Sequence, residues 1–219
     1  MDKKKANSIL EEIDRYFAER IGRFGISPQG AGWKNPEAQK LRFKVMCELV
    51  LPEHRNRSVS IHEIGCGMAH MMDYLAEKGF PYDYSGSDAL TRMLEIAMAR
   101  HPDIRFTRFN ILIDPPIQER YDYVVMNGVF HYLAEGVSWG EWKEEIRAMI
   151  KKAWQMTRVG MAFNLMTDMV DWKDPHLFYI NPCEVIPWIR ESTRLFVIKQ
   201  DYWPFEFSVF AYREEMIDR

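Results

Sequence analysis

The sequence has no excess of positive charge. Its 219 residues carry 29 Lys and Arg against 32 Asp and Glu, for a net charge of −3 and a pI near 6.1. Proteins that grip nucleic acid or anionic membranes by long-range attraction need a basic surplus, so neither partner is expected. Cysteine is scarce. Cys47, Cys66 and Cys183 share no CxxC spacing and have no histidine at metal-ligand spacing, which argues against a disulfide framework and a zinc site. The 14 methionines have no soft-ligand company and read as adaptable packing. No apolar run approaches the roughly 20 residues that span a bilayer. The charged start, Met1 to Ala6, leads into no apolar secretion-signal segment. There is no internal repeat and no low-complexity tract. The expectation is a cytoplasmic protein, monomeric or homodimeric, without a metal.

What is present suits one α/β domain: 47% hydrophobic and 28% charged residues supply a sizeable core and a charged surface. Leu10, Ile13, Phe17 and Ile21 fall at helical spacing, which predicts an amphipathic helix over 7–21. The Gly- and Pro-rich stretch 25–33 breaks it, and a second helix runs from Pro36 to Leu51, where Pro52 ends it. Residues 1–55 thus read as an N-terminal helical lid segment, and 56–219 as the core of a single domain.

Within the core, short apolar runs alternate with helical segments. Strands are expected at Val59–Ile64, Asp83–Ser87, Ile104–Phe109, Tyr121–Met126, Val159–Leu165, Leu195–Lys199 and Phe205–Tyr212. Helices are expected at His70–Lys78, Thr91–Arg100, Trp142–Trp154 and Pro182–Glu191. Such alternation predicts a seven-stranded, mostly parallel sheet with helices on both faces. The link between the last two strands is too short for a crossover helix, so the last strand should run antiparallel.

Glu63-Ile64-Gly65-Cys66-Gly67 lies between the first strand and the next helix, where doubly wound sheets bind ligands. Gly65 and Gly67 permit a tight turn and close backbone approach. A dinucleotide site would want a third glycine at position 70 to accommodate a pyrophosphate, and the chain has His70 there. Asp88 ends the second strand, 21 positions after Gly67. A carboxylate at that distance accepts hydrogen bonds from both ribose hydroxyls. Together they suggest adenosine without pyrophosphate.

Glu63-Ile64-Gly65-Cys66-Gly67 resembles the first motif of the class I S-adenosylmethionine-dependent methyltransferases, which usually carry a further glycine where this chain has Ala69. Gly86-Ser87-Asp88 resembles the family's ribose-binding end of the second strand. Phe109-Asn110-Ile111 resembles the end of the third, where an Asp commonly meets the adenine amino group; Asn110 keeps a carbonyl acceptor for it. Tyr121 to Tyr132 resembles the fourth strand and the loop that flanks cofactor and acceptor. Trp33 to Phe43 is similar to a lid segment of bacterial small-molecule members. The resemblance implies a Rossmann-like fold and S-adenosylmethionine as cofactor. It places cofactor contacts at Trp33, Gln39, Arg42, Glu63, Gly65, Cys66, Gly67, Asp88, Ala89, Asn110, Ile111, Asn127 and Gly128. Arg42 is the expected partner of the cofactor carboxylate, and Trp33 a shield against water.

Methyl transfer chiefly requires alignment of donor and acceptor, and a hydroxyl or acidic acceptor also needs its proton removed. His131, just past the fourth strand, and His176, past the fifth, are the candidate bases. The reading is transfer to an oxygen or nitrogen of a small molecule. Two alternatives stay open: an RNA or protein methyltransferase, and a non-catalytic cofactor-binding domain. Asn127-Gly128-Val129-Phe130 lacks the Asn/Asp-Pro-Pro-Tyr tetrapeptide usual in members acting on planar amino groups.

Overall fold

A computed structural model describes residues 2–216. The chain begins with α1 (Lys3–Phe24), capped by the Asp2 side chain on the Lys5 N–H, and ends it at Gly25. A turn-rich segment leads to α2 (Pro36–Cys47), whose Asn35 cap accepts from the Ala38 N–H at 2.8 Å. The core then runs β1 (Ser60–Ile64), α3 (His70–Lys78), β2 (Asp83–Asp88), α4 (Thr91–Arg100), β3 (Arg105–Arg108), β4 (Tyr121–Met126), α5 (Trp139–Gln155), β5 (Thr157–Thr167), β6 (Tyr179–Ile180), α6 (Pro182–Arg190), β7 (Leu195–Lys199) and β8 (Glu206–Tyr212).

The sheet order is β3-β2-β1-β4-β5-β8-β7, with β6 pairing β5. All pairs are parallel except those that β8 makes with β5 and β7. The antiparallel hairpin expected from the short link is present. Its physical cause is that Gln200 to Pro204 can only reverse the chain. The expected seven strands become eight because Tyr179 and Ile180 pair with Met166 and Thr167. Two residues carry too little pattern to be read as a strand.

Successive residues of β4 face opposite sides, as the pleat requires. Val124 and Met126 pack with α5 and α6, while Tyr123 and Val125 pack with α2 and α3. The sheet is therefore buried on both faces. Helix α2 stops four residues earlier than periodicity suggests, because the N–H groups of Glu48, Leu49 and Val50 bond three residues back and tighten the chain into turns. Helix α5 starts three residues earlier than expected, at Trp139, because Ser138 caps it through the Glu141 N–H. Helix α1 outruns its expected span at both ends. Among the described residues no helix is long and apolar enough to cross a membrane.

Chain order reverses between β1 and β4: from β1 the chain builds outward to β3, then returns to β4 on the other side. The carboxyl ends of those two strands form the crevice in which such sheets place ligands.

Candidate functional site

A cavity opens at that crevice. Its floor is Glu63, Ile64, Gly65, Cys66 and Gly67 after β1, with Asp88 and Ala89 after β2. Asn110 and Ile111 after β3 and Asn127 and Gly128 after β4 complete the sheet side. The roof comes from the N-terminal segment: Leu10, Ile13 and Phe17 of α1, Trp33 of the turn, Gln39 and Phe43 of α2.

The turn after β1 is fixed by backbone bonds. The Gly65 and Cys66 N–H groups both donate to the Ser87 carbonyl, at 2.7 and 3.0 Å. Gly65 has φ +75°, and a Cβ there would sit 2.6 Å from Val129 Cγ2. A Gly65→Ala variant combines left-handed strain of about 1–2 kcal/mol with an overpacking cost of about 1–3 kcal/mol. We expect a thermal midpoint lower by roughly 5–15 °C in scanning calorimetry. Ala69 has φ 60° and is fully buried. Where the resemblance would have glycine, the chain holds the same left-handed backbone with the smallest side chain that has a Cβ.

Asp88 closes the floor. One carboxylate oxygen accepts from the Gly67 N–H at 2.8 Å and the other from the Leu90 N–H at 2.8 Å. The group is thus both a turn residue and a cavity residue. Burial pushes its carboxyl upward, while the backbone bonds from Leu90, Gly67 and Ala89 oppose that push. A carboxylate has about four lone-pair sites, so its backbone partners leave capacity for ligand hydroxyls. Glu63 is fully buried, accepts a 2.5 Å bond from the Tyr84 hydroxyl, and is raised to about 8 by burial.

Asn110 is only 4% exposed. Its carbonyl oxygen accepts from the Leu112 N–H at 3.1 Å, and its amide nitrogen has no hydrogen-bond partner among the described residues. The Leu112 bond fixes which end is oxygen. Leu112 takes one of the carbonyl's two lone pairs, so the expected acceptor keeps the other, and the amide nitrogen adds a free donor. Asn127 is arranged alike: its oxygen accepts from Asn164 Nδ2 at 2.9 Å, and its own amide nitrogen is unpartnered among the described residues. Asn164 also accepts from the Gly128 N–H at 2.7 Å. Two buried amide donors without partners, in a cavity wall, are groups that a ligand must satisfy.

Gly128 carries φ +79°, and the Trp33 ring lies 3.4 Å from where its Cβ would be. Lid and loop can approach this closely because no side chain separates them. Gln39 Nε2 lies 3.0 Å from His70 Nδ1, and His70 also bonds the Ile26 backbone. An amide nitrogen only donates, so His70 accepts on Nδ1. Burial and Arg100 lower the His70 pKa. Position 70 thus fastens the lid to the start of α3.

Three expected residues sit differently. Arg42 does not line the cavity: its Nε lies 3.2 Å from Glu206 Oε1, its Nη1 donates to the Ala38 carbonyl, and both ion-pair partners are buried. A guanidinium already paired with a buried carboxylate is poorly placed to receive a second one. His176 is exposed and outside the cavity; its N–H bonds the Asp174 side chain and its carbonyl accepts from Leu133. His131 is not among the lining residues either; it is largely buried beside the cavity, with Nε2 3.5 Å from Glu206 Oε2. Its pKa is lowered by burial and by Arg42, against the pull of Glu206.

Sequence reasoning missed the α1 side chains, Asn164 and Glu206. The α1 stripe was visible, but not what it covers. Asn164 had one local signal: a polar residue inside the apolar run of β5. Glu206 had none.

The family described as "Methyltransferase domain" matches residues 62–160. That span runs from the middle of β1 through β4 and α5, and contains every sheet residue of the cavity floor. Residues 62–160 thus carry a methyltransferase domain of the class I S-adenosylmethionine-dependent type. The methyltransferase is 28% identical to Rv1506c of Mycobacterium tuberculosis, itself a methyltransferase by name only, over 68% of this chain and 90% of that one. Its fold is similar to magnesium protoporphyrin IX methyltransferase from Synechocystis with bound S-adenosylmethionine (TM-score 0.57, 14% identity, 80% of this chain and 79% of that one). It is also similar to a TehB-like methyltransferase from Corynebacterium glutamicum (TM-score 0.57, 16% identity, 93% and 100%). The enzyme's cofactor is S-adenosylmethionine, and the cavity fits it: glycine-lined floor, ribose-range carboxylate, and unpartnered amide donors.

Proposed function

We propose that the enzyme transfers the methyl group to an oxygen or nitrogen of a small molecule. The lid is the observation that carries this reading. Residues of α1, the turn and α2 roof the cavity, so an acceptor must fit beneath them, and an extended RNA or protein surface would meet the lid first. The net charge of −3 agrees, since an RNA substrate favours a basic face. In this reading residues 1–55 are the lid and 56–219 the catalytic core.

When bound, S-adenosylmethionine supplies a methyl group activated by its sulfonium. We assign its contacts to Glu63, Gly65, Cys66, Gly67, Asp88, Ala89, Asn110, Ile111, Asn127 and Gly128, with Trp33 and Gln39 from the lid. Asn110 donates to an adenine ring nitrogen with its free amide. Arg42 acts indirectly, by stacking against Trp33 at 5.8 Å. A Trp33→Ala variant should bind S-adenosylmethionine roughly 10–100-fold more weakly, the loss of a partly buried aromatic contact of about 1.5–3 kcal/mol. Isothermal calorimetry checks this; an unchanged dissociation constant removes Trp33 from the site.

His131 is assigned as the base. It starts neutral because burial disfavours its charged form, as a proton acceptor requires. His131→Ala should lower kcat by about 10²–10⁴-fold, whereas His176→Ala should stay near wild type. Transfer of labelled methyl to phenols, carboxylic acids and amines, compared with total RNA and with protein, tests the acceptor class. Label appearing only in RNA or protein would overturn the small-molecule reading.

A further inference from the structure

Beside the cofactor cavity, behind Trp33, lies a second buried polar cluster. At its centre is Glu206, 1% exposed, paired in register with Met166 near the carboxyl end of β5. Three elements deliver side chains to it. Arg42 of α2 places Nε 3.2 and 3.4 Å from the two carboxylate oxygens. Tyr202, in the turn before β8, donates its hydroxyl at 2.8 Å and lies 2.7 Å from Ser208 Oγ. His131, three residues past Gly128, approaches from the loop after β4 with Nε2 3.5 Å from Oε2. Trp33 and Trp203 flank the guanidinium at 5.8 and 4.8 Å.

A structural ion pair needs only Arg42 and Glu206. It does not require a histidine whose buried Nε2 has no hydrogen-bond partner among the described residues and faces that same carboxylate. Buried polar atoms left without partners call for a role, and here the geometry supplies one. A neutral imidazole carries one hydrogen, and the partner of one nitrogen decides where it sits.

We propose that Glu206 is a positioning residue for His131: its carboxylate takes the Nε2 hydrogen and leaves the Nδ1 lone pair for the proton of the methyl acceptor. This rests on the reading of His131 as the base. The acceptor's proton passes to Nδ1, and the acceptor oxygen keeps the electron pair with which it takes the methyl group. The imidazolium so formed stands beside Glu206, which stabilises it. Before that step the cluster is neutral overall, with Arg42 and Glu206 balancing each other and His131 uncharged. Arg42 offsets the charge of Glu206, so that His131 does not take up a proton before the acceptor arrives. Tyr202 fixes the carboxylate from the other side, so that only one of its oxygens is left to the histidine. The charged and titratable groups facing His131 are these: Glu206 of β8 and Arg42 of α2, with Tyr202 behind the carboxylate.

Nuclear magnetic resonance of the histidine side chains tests this in the cofactor-free protein. Six histidines give six Cε1–Hε1 signals, and His131→Gln assigns one. Nitrogen shifts in the wild type should show a single tautomer with hydrogen on Nε2. Glu206→Gln should mix the tautomers and lower the His131 pKa by about 1 unit or more. Tyr202→Phe should do so more weakly. A wild-type His131 with hydrogen on Nδ1 overturns the proposal without the Glu206 variant, which covers the case that Glu206→Gln fails to fold. An unmoved or raised His131 pKa in Glu206→Gln overturns it too. The base reading fails separately: His131→Ala that still methylates a phenol or carboxylic acid at the wild-type rate removes the base and leaves the tautomer result standing.

Discussion

Replacing Asp88 by alanine is expected to weaken S-adenosylmethionine binding by about 100-fold or more, with a lower thermal midpoint in the cofactor-free protein. Two separate losses result, one in the stability of the empty protein and one in affinity. In the empty site the carboxylate satisfies the Gly67 and Leu90 N–H groups, and a buried donor stripped of its partner costs about 1–3 kcal/mol. Gly67 belongs to the turn after β1, so its release also loosens the cavity floor. In the bound site, we assign the remaining lone pairs to the ribose hydroxyls, and hydrogen bonds to a charged group contribute about 1.5–3 kcal/mol each. A total near 2.7 kcal/mol already gives 100-fold. Asp88→Asn is no gentle substitute. With its oxygen kept on Leu90, its NH2 would face the Gly67 N–H, donor against donor. Calorimetric titration reads both variants; a dissociation constant within threefold of wild type for Asp88→Ala would remove this residue from the cofactor site.

The frame around Asp88 was legible in the sequence because local rules and long-range order agree there. Tyr121–Met126 and Leu195–Lys199 are found at the predicted boundaries, since short apolar runs flanked by polar residues leave little choice. The short 200–204 link fixed the antiparallel hairpin for a chain-length reason alone. Hydrogen-bond partners were not legible. Arg42 looked like a free cation because nothing near it in sequence is acidic on its face; the partner, Glu206, is 164 positions away. Asn110 showed an acceptor in sequence, but not that Leu112 occupies part of it and leaves the amide nitrogen without a partner among the described residues. His176 looked like His131 because both follow strands, yet a two-residue strand and a bridge between Tyr132 and Leu177 turn its segment outward. What residue type and spacing can fix is the backbone route; what each polar group faces depends on elements that meet only in the folded sheet.

The contributions of His62 and Glu63, neighbours in β1, to the pH dependence of stability should nearly cancel between pH 7 and 5, and each replacement should unmask the other. His62 is buried between the Ser85 and Ser87 hydroxyls, both at 2.9 Å, and stacks on Tyr121. Burial lowers its pKa from 6.5 to about 3. The folded state therefore refuses a proton that the unfolded chain accepts, and stability present above about 6.5 is lost as pH falls toward 3. From pH 7 to 5 that loss is about 2 kcal/mol. Glu63 is pushed the opposite way, from 4.5 to about 8. Its folded form holds a proton the unfolded chain has released, so its contribution is full below about 4.5 and disappears as pH rises through about 8. From pH 7 to 5 it gains about 2–3 kcal/mol. Urea unfolding of the cofactor-free enzyme at both pH values measures the departure of each variant from the wild-type change. Relative to wild type, His62→Gln should gain stability from pH 7 to pH 5 and Glu63→Gln should lose it, each by about 2 kcal/mol. If both variants show the same pH slope as wild type, neither side chain titrates in the folded interior as its burial requires. That result would place both groups in contact with water rather than within the sheet.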